Sequence, residues 1–174
     1  PSAEVYMVME GENLVTSAKS TGIGISELAT VFDNLKPDVV LSIADRYETI
    51  ATAITGSYMN IPVIHVQGGE VTGSIDEKVR HAVTKLSNIH MVSNSDSYDR
   101  VVKMGENKDS VFITGCPSID LAREVVESEE DMVFEEVLKG VGSVVNTTDD
   151  YIVVMQHPVT LEWEDAQSQM KETL

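Results

Sequence analysis

Asp45 and Arg46 stand together at the end of an apolar run, Val39 to Ala44 (VVLSIA). Further on, Asp76, Arg80 and Thr84 recur at every fourth position, so in a helix an acid and a guanidinium meet on one face, one turn apart. A carboxylate can move a proton, and an arginine can hold it ionised or grip a phosphate. Each has a plainer use. Asp45 also reads as a cap for the helix that follows, with Arg46 solvated. Asp76 and Arg80 also read as a surface ion pair worth little. Glu77 belongs to Ser74-Ile75-Asp76-Glu77, an S-x-x-E capping box, and reads as a helix-start residue rather than a catalyst. Gly68-Gly69 does not match G-x-G-x-x-G and no acid follows at the dinucleotide spacing, so no nicotinamide cofactor is expected. His65 lies in an apolar strand and reads as a core histidine with a satisfied ring. His157 closes another strand before Pro158 and reads equally as structural or as facing a crevice.

The elements that position these residues alternate. Val5 to Met9 is a short strand candidate. Asn13 to Leu35 reads as one long helix, with Leu14, Ala18, Ile25, Leu28, Val31, Phe32 and Leu35 inward. Gly22 and Gly24 cost it about 1 kcal/mol each, which points to a close helix–helix or helix–sheet approach or a dimer face. Pro37 ends it. A buried strand over 39–44, a helix over 47–58 and a strand starting at Pro62 follow. A helix opening near Ser74 turns Ile75, Val79, Ala82, Val83 and Leu86 inward. Then come strand 89–92, helix 95–104, strand 110–114, a Gly-Cys-Pro-Ser turn at 115–118, helix 119–126 and an acidic helix over 129–139. Residues 140–150 are loop-like, 151–155 (YIVVM) form a fresh strand, and 160–174 form a helix. Alternating strands and helices imply βαβ units with right-handed crossovers and a mostly parallel sheet covered on both faces. In such sheets ligands bind beyond the carboxyl ends of the strands.

With 174 residues, 42% of them hydrophobic, the chain is long enough for one packed domain and the start of another. A formal net charge of −17 argues against a nucleic-acid or anionic-membrane partner, and no apolar run is long enough to span a bilayer. Cys116 is the sole cysteine, which excludes an internal disulfide and fits a reducing, cytoplasmic setting. No zinc-ligand spacing occurs, so no metal is expected. The chain opens at Pro1 and stops inside a helical pattern, and reads as part of a longer protein.

Four segments resemble a family: VLSIADRYE, IPVIHVQGGEVTGSIDEKVRHAVTKLS, ITGCPSID and YIVVMQHPVT are similar to the hydrolysing UDP-N-acetylglucosamine 2-epimerases of the sialic-acid and legionaminic-acid type. The resemblance runs over nearly the whole chain. It implies an α/β fold: the three-layer, Rossmann-like N-terminal domain of a two-domain GT-B architecture, incomplete here. Residues 1–140 would be that domain without its first strand, 141–150 a linker, and 151–174 the start of the UDP-binding domain. The implied reaction converts a UDP-sugar such as UDP-GlcNAc to N-acetylmannosamine and UDP, through C2 proton abstraction and a glycal, without cofactor or metal; some relatives use a diacetylated bacillosamine nucleotide. A homodimer is expected on other grounds, through the long Gly-containing helix near Gly22. Carried over by position, Asp45, Asp76 and Arg80 are catalytic, and Arg46 and His157 lie near the nucleotide. Ala44 replaces a usual glycine. Gln67 stands where many members have a catalytic glutamate, and a neutral amide is no base near pH 7. Asp45 and Asp76 would then share the proton work with help from Glu70, or Gln67 would hold the substrate. A GT-B glycosyltransferase and a non-catalytic nucleotide-sugar-binding module are the alternatives.

Overall fold

The computed structural model describes residues 3–10, 13–43, 45–73, 75–128, 150–157 and 162–174. The chain divides into two compact units, Pro1–Pro117 and Ser118–Leu174. The first opens its helical layer with α1 (Leu14–Leu35). The Asn13 side chain accepts the Thr16 amide at 3.0 Å and caps it, and Lys36, in the left-handed region, ends it before Pro37. Then β1 (Val40–Ile43), α2 (Tyr47–Tyr58), β2 (Val63–Val66), α3 (Ile75–Leu86), β3 (Ile89–Val92), α4 (Ser95–Lys103) and β4 (Val111–Ile113) alternate, and α5 (Pro117–Glu127) begins at the boundary. The four strands form a parallel sheet in the order β1-β2-β3-β4. Successive right-handed crossovers moving one way across the sheet put α2, α3 and α4 on one face, and α1 stacks on α2. The opposite face carries Leu41, Ile43 and Phe112, each about half exposed. The second unit holds a 3-10 turn at Trp163–Asp165 and α6 (Ala166–Thr173).

Several expectations change. Residues 5–9 form no strand: the Met9 amide donates to Ser20 Oγ at 2.9 Å and Met7 is buried against α1, so this segment is laid on a helix instead of a ladder. Gly24 makes the expected close approach, since a Cβ there would lie 3.2 Å from that of Ala51 on α2; Gly22 faces open space. Leu14, Ala18 and Leu35 are exposed, and the buried line of α1 runs through Ser20, Gly24 and Phe32. β1 alternates buried and exposed residues, because α2, α3 and α4 cover one of its faces and no helix of this unit among the described residues covers the other. Residues 150–157 form no strand and are exposed, with no neighbouring strand among the described residues to complete a ladder. The acidic helix expected at 129–139 and, but for Asp150, the linker at 141–150 lie outside the described residues.

The covered face of the sheet is polar at its centre. Ser42, His65, His90 and Val111 pair in one row across the four strands, and all are buried. His65 Nδ1 lies 3.2 Å from Thr84 Oγ1, which donates to the Arg80 carbonyl at 3.0 Å, so the ring nitrogen supplies the proton of the first contact. Apolar packing flanks this row: Ala53, Val63 and Val83 with Ile50, Val79 and Leu86 on one side, and Val92, Val101 and Val111 with Tyr98 and Val102 on the other.

His90 is fully buried, with Nε2 3.3 Å from a Glu106 carboxylate oxygen that shares its group with Lys85. Burial pushes its pKa below the ordinary 6.5; Glu106 opposes that shift and Lys85 adds to it. The unfolded chain therefore binds this proton more readily than the fold does, so stability is complete above 6.5 and declines as pH falls from there toward the folded value. In denaturant titrations across this range, His90→Gln is expected to flatten that decline relative to the parent chain. Parallel curves would remove His90 as its source.

Candidate active site

In a parallel sheet every strand ends at the same edge, so the residue that follows each strand joins one rim. Here the rim collects Asp45 after β1, Gln67 to Glu70 after β2, Ser93 after β3 and Cys116 beyond β4. The residue that binds it together comes from below. Arg80, in the second turn of α3, is 4% exposed. Its Nη2 pairs with Asp45 Oδ2, its Nη1 donates to the Glu70 carbonyl at 2.9 Å, and its Nε is buried with no hydrogen-bond partner among the described residues. Asp45 is thus not a helix cap. The cap position of α2 belongs to Arg46, and the Asp45 carboxylate turns to Arg80 instead.

The loop after β2 is wedged between helices. Gln67 adopts φ 65° while its amide continues the ladder to the Met91 carbonyl at 2.8 Å. A Cβ on Gly68 would lie 2.9 Å from the His65 ring, and one on Gly69, at φ 80°, only 2.5 Å from the Ser97 carbonyl oxygen. Arg100 of α4 donates to the Gly69 carbonyl. The two glycines therefore serve close packing. At the start of α3, Glu77 accepts the amides of Gly73 at 2.7 Å and Thr72 at 3.0 Å, so these donors are engaged by the protein itself. The Gly73 amide, opposed by partial desolvation and joined by Thr72, His81 and Arg80, holds the Glu77 carboxyl below its ordinary 4.5. The capping partner expected at Ser74 lies outside the described residues.

Side-chain contacts extend the rim. Ser93 Oγ donates to Glu70 Oε1 at 2.7 Å, and Gln67 Nε2 donates to Cys116 Sγ at 3.4 Å. Asp76, half-buried, stands one turn before Arg80 on the same face of α3. Among the described residues, no group of three or more His, Cys, Asp or Glu side chains is arranged to hold a metal.

Residues 3–174 match the family model described as UDP-N-acetylglucosamine 2-epimerase. The chain belongs to the UDP-N-acetylglucosamine 2-epimerase family. A Legionella pneumophila protein named UDP-N,N'-diacetylbacillosamine 2-epimerase (hydrolyzing) is 41% identical over 115 residues, 66% of this chain and 30% of that protein. A Campylobacter jejuni GDP/UDP-N,N'-diacetylbacillosamine 2-epimerase (hydrolyzing) is 28% identical over 172 residues, 98% of this chain and 43% of its own length. The crystal structure of UDP-GlcNAc 2-epimerase from Neisseria meningitidis bound to UDP-GlcNAc superposes with a TM-score of 0.62 at 28% identity, over 69% of this chain and 33% of that one. The chain thus spans well under half the length of these epimerases.

Of the residues marked out by the epimerase resemblance, the fold joins Asp45, Arg80 and Glu70 directly and puts Gln67 on the same loop as Glu70. Arg46 stays outside this cluster: its side chain is 71% exposed, reaches Glu48 at 3.4 Å and lies over the Tyr47 ring. His157 is exposed and belongs to the second unit. Ser93, Cys116 and Arg100 escaped the sequence reading. The signal for the first two was positional, since each follows a strand on the rim; Arg100 left none, because only packing brings α4 against the Gly69 loop.

Gly69→Ala is expected to destabilise the chain by about 2 kcal/mol or more, through a backbone clash added to left-handed strain. Gly73→Ala, at φ 71° with open space around it, should cost about 1 kcal/mol from strain alone. Denaturant midpoints of the two variants check this ordering, and equal losses would mean that the Gly69 loop is not held against α4.

Proposed function

We propose that this chain supplies the sugar-facing half of a hydrolysing UDP-N-acetylglucosamine 2-epimerase of GT-B architecture, with residues 151–174 beginning the UDP-binding domain. The reading draws on the family and on one observation above all: a buried arginine ties an acid after β1 to the acid-bearing loop after β2, at the rim where parallel sheets bind ligands. In the proposed reaction a carboxylate removes the proton from sugar C2. The C–H electron pair forms a C1=C2 double bond as the C1–O bond breaks, and UDP leaves with the electron pair of that C1–O bond. Water then adds its hydroxyl to C1 while C2 takes a proton on the opposite face, giving N-acetylmannosamine. Asp45, Asp76 and Glu70 are the acids assigned to these transfers. Arg80 fixes two of them in place, and Gln67 holds the substrate by hydrogen bonding. Arg46 and His157 are assigned to the nucleotide. The assembly proposed is a homodimer through α1, whose Leu14, Val15 and Ile23 are exposed.

The test uses a protein of the relatives' full length that carries this chain. Without any acceptor it is expected to release UDP and N-acetylmannosamine from UDP-GlcNAc, and in heavy water to incorporate deuterium at C2. Asp76→Asn should lower turnover at least about a hundredfold with folding intact. Product that requires an acceptor sugar would favour a glycosyltransferase, and binding without C2 exchange would make it a nucleotide-sugar-binding module. Running UDP-N,N'-diacetylbacillosamine beside UDP-GlcNAc decides the preferred sugar. The isolated 174-residue chain is expected to release no UDP.

A further inference from the structure

We propose that Ser93 is a positioning residue that aims the Glu70 carboxylate, and that Glu70 carries one of the two C2 proton transfers; the inference rests on the epimerase reading above. Ser93 immediately follows β3, and its hydroxyl proton has a defined direction. Asn94 Oδ1 accepts the Ser97 amide at 2.9 Å as the cap of α4, which turns Asn94 Nδ2 toward Ser93 Oγ at 3.2 Å. With that oxygen already accepting, the Ser93 O–H goes to Glu70 Oε1, 2.7 Å away.

The backbone beneath Glu70 is held as well. Its own carbonyl accepts from Arg80, and the carbonyl before it accepts from Arg100. Main chain and side chain are therefore both fixed, while Glu70 Oε2 takes no hydrogen bond among the described residues. A carboxylate pinned by one oxygen and open at the other is preorganised to move a proton, since little rotamer freedom is left to lose. Its neighbours on the rim each have one polar atom in a contact of their own. Asp45 Oδ2 lies in the ion pair with Arg80, and Gln67 is a neutral amide that donates to Cys116. Two cations reach the backbone at Glu70: Arg80 from α3, which itself pairs with Asp45, and Arg100 from α4.

In the full-length protein carrying this chain, Ser93→Ala is expected to lower kcat about tenfold with KM little changed, the loss of one aligned hydrogen bond to a charged group. Ser93→Thr should restore the rate, and Glu70→Gln should lower kcat at least as far as Ser93→Ala does. Adding Ser93→Ala to Glu70→Gln should cost nothing further; a further loss would give Ser93 a separate role and overturn the proposal. So would a Ser93→Ala enzyme with the parent's kcat, or a Glu70→Gln enzyme at full rate. A parent protein that releases no UDP defeats the epimerase reading instead, so the two failures are distinguishable.

Discussion

A guanidinium placed in the interior loses several kcal/mol of hydration and stays there only if its donors are met. Arg80 meets this condition at its two terminal nitrogens, with a carboxylate from the end of one strand and a carbonyl from the loop after the next, while Nε has no partner among the described residues. Each contact joins segments far apart in the chain. Asp45 cannot swing out to cap α2, and the Glu70 loop cannot lift off α3, without leaving a buried charge uncompensated. The carbonyl of Arg80 itself accepts from Thr84, which accepts in turn from His65 in the centre of the sheet. The rim and the core thus belong to one hydrogen-bonded network, and a disturbance at either is felt at the other.

Around this centre the loop after β2 is held by close contact. Gly68 sits against the His65 ring and Gly69 against the backbone of α4, while Arg100 grips the carbonyl between Gly69 and Glu70. A rigid loop of this kind keeps Gln67 and Glu70 at defined places without a large apolar core beneath them. The proposed chemistry needs that: proton transfer at carbon is intolerant of a misplaced carboxylate.

Much of the fold was legible. The short apolar runs and helical stripes located the four strands of the sheet and the helices between them, and Asp45, Glu70 and Arg80 could be named. Other signals misled for physical reasons. An apolar run reads as a strand whether or not a neighbour offers it a ladder, so 5–9 and 151–155 were expected to pair and do not. Helical stripes located α3 but misjudged its most buried line, which runs through the polar Arg80 and Thr84 beside Val83. Polar residues go inside when they can satisfy one another, and a hydropathy pattern carries no record of their partners. Ser93 and Cys116 carry only the signal of their position after a strand, because a serine and a cysteine in turns have no distinctive spacing.

The residues alone determined the alternation of strands and helices, hence a parallel sheet and a carboxyl rim, because hydrophobic period and turn chemistry are local properties. They also determined which ionisable groups would follow those strands. Only the tertiary structure decided which of those groups meet. That Asp45 finds Arg80 while Arg46 turns to solvent, that Glu70 is held by Ser93, and that Gly69 packs against α4 all depend on distances between segments 10 to 35 residues apart in the chain. Such distances are set when the sheet and helices pack together, and no local pattern in the chain encodes them.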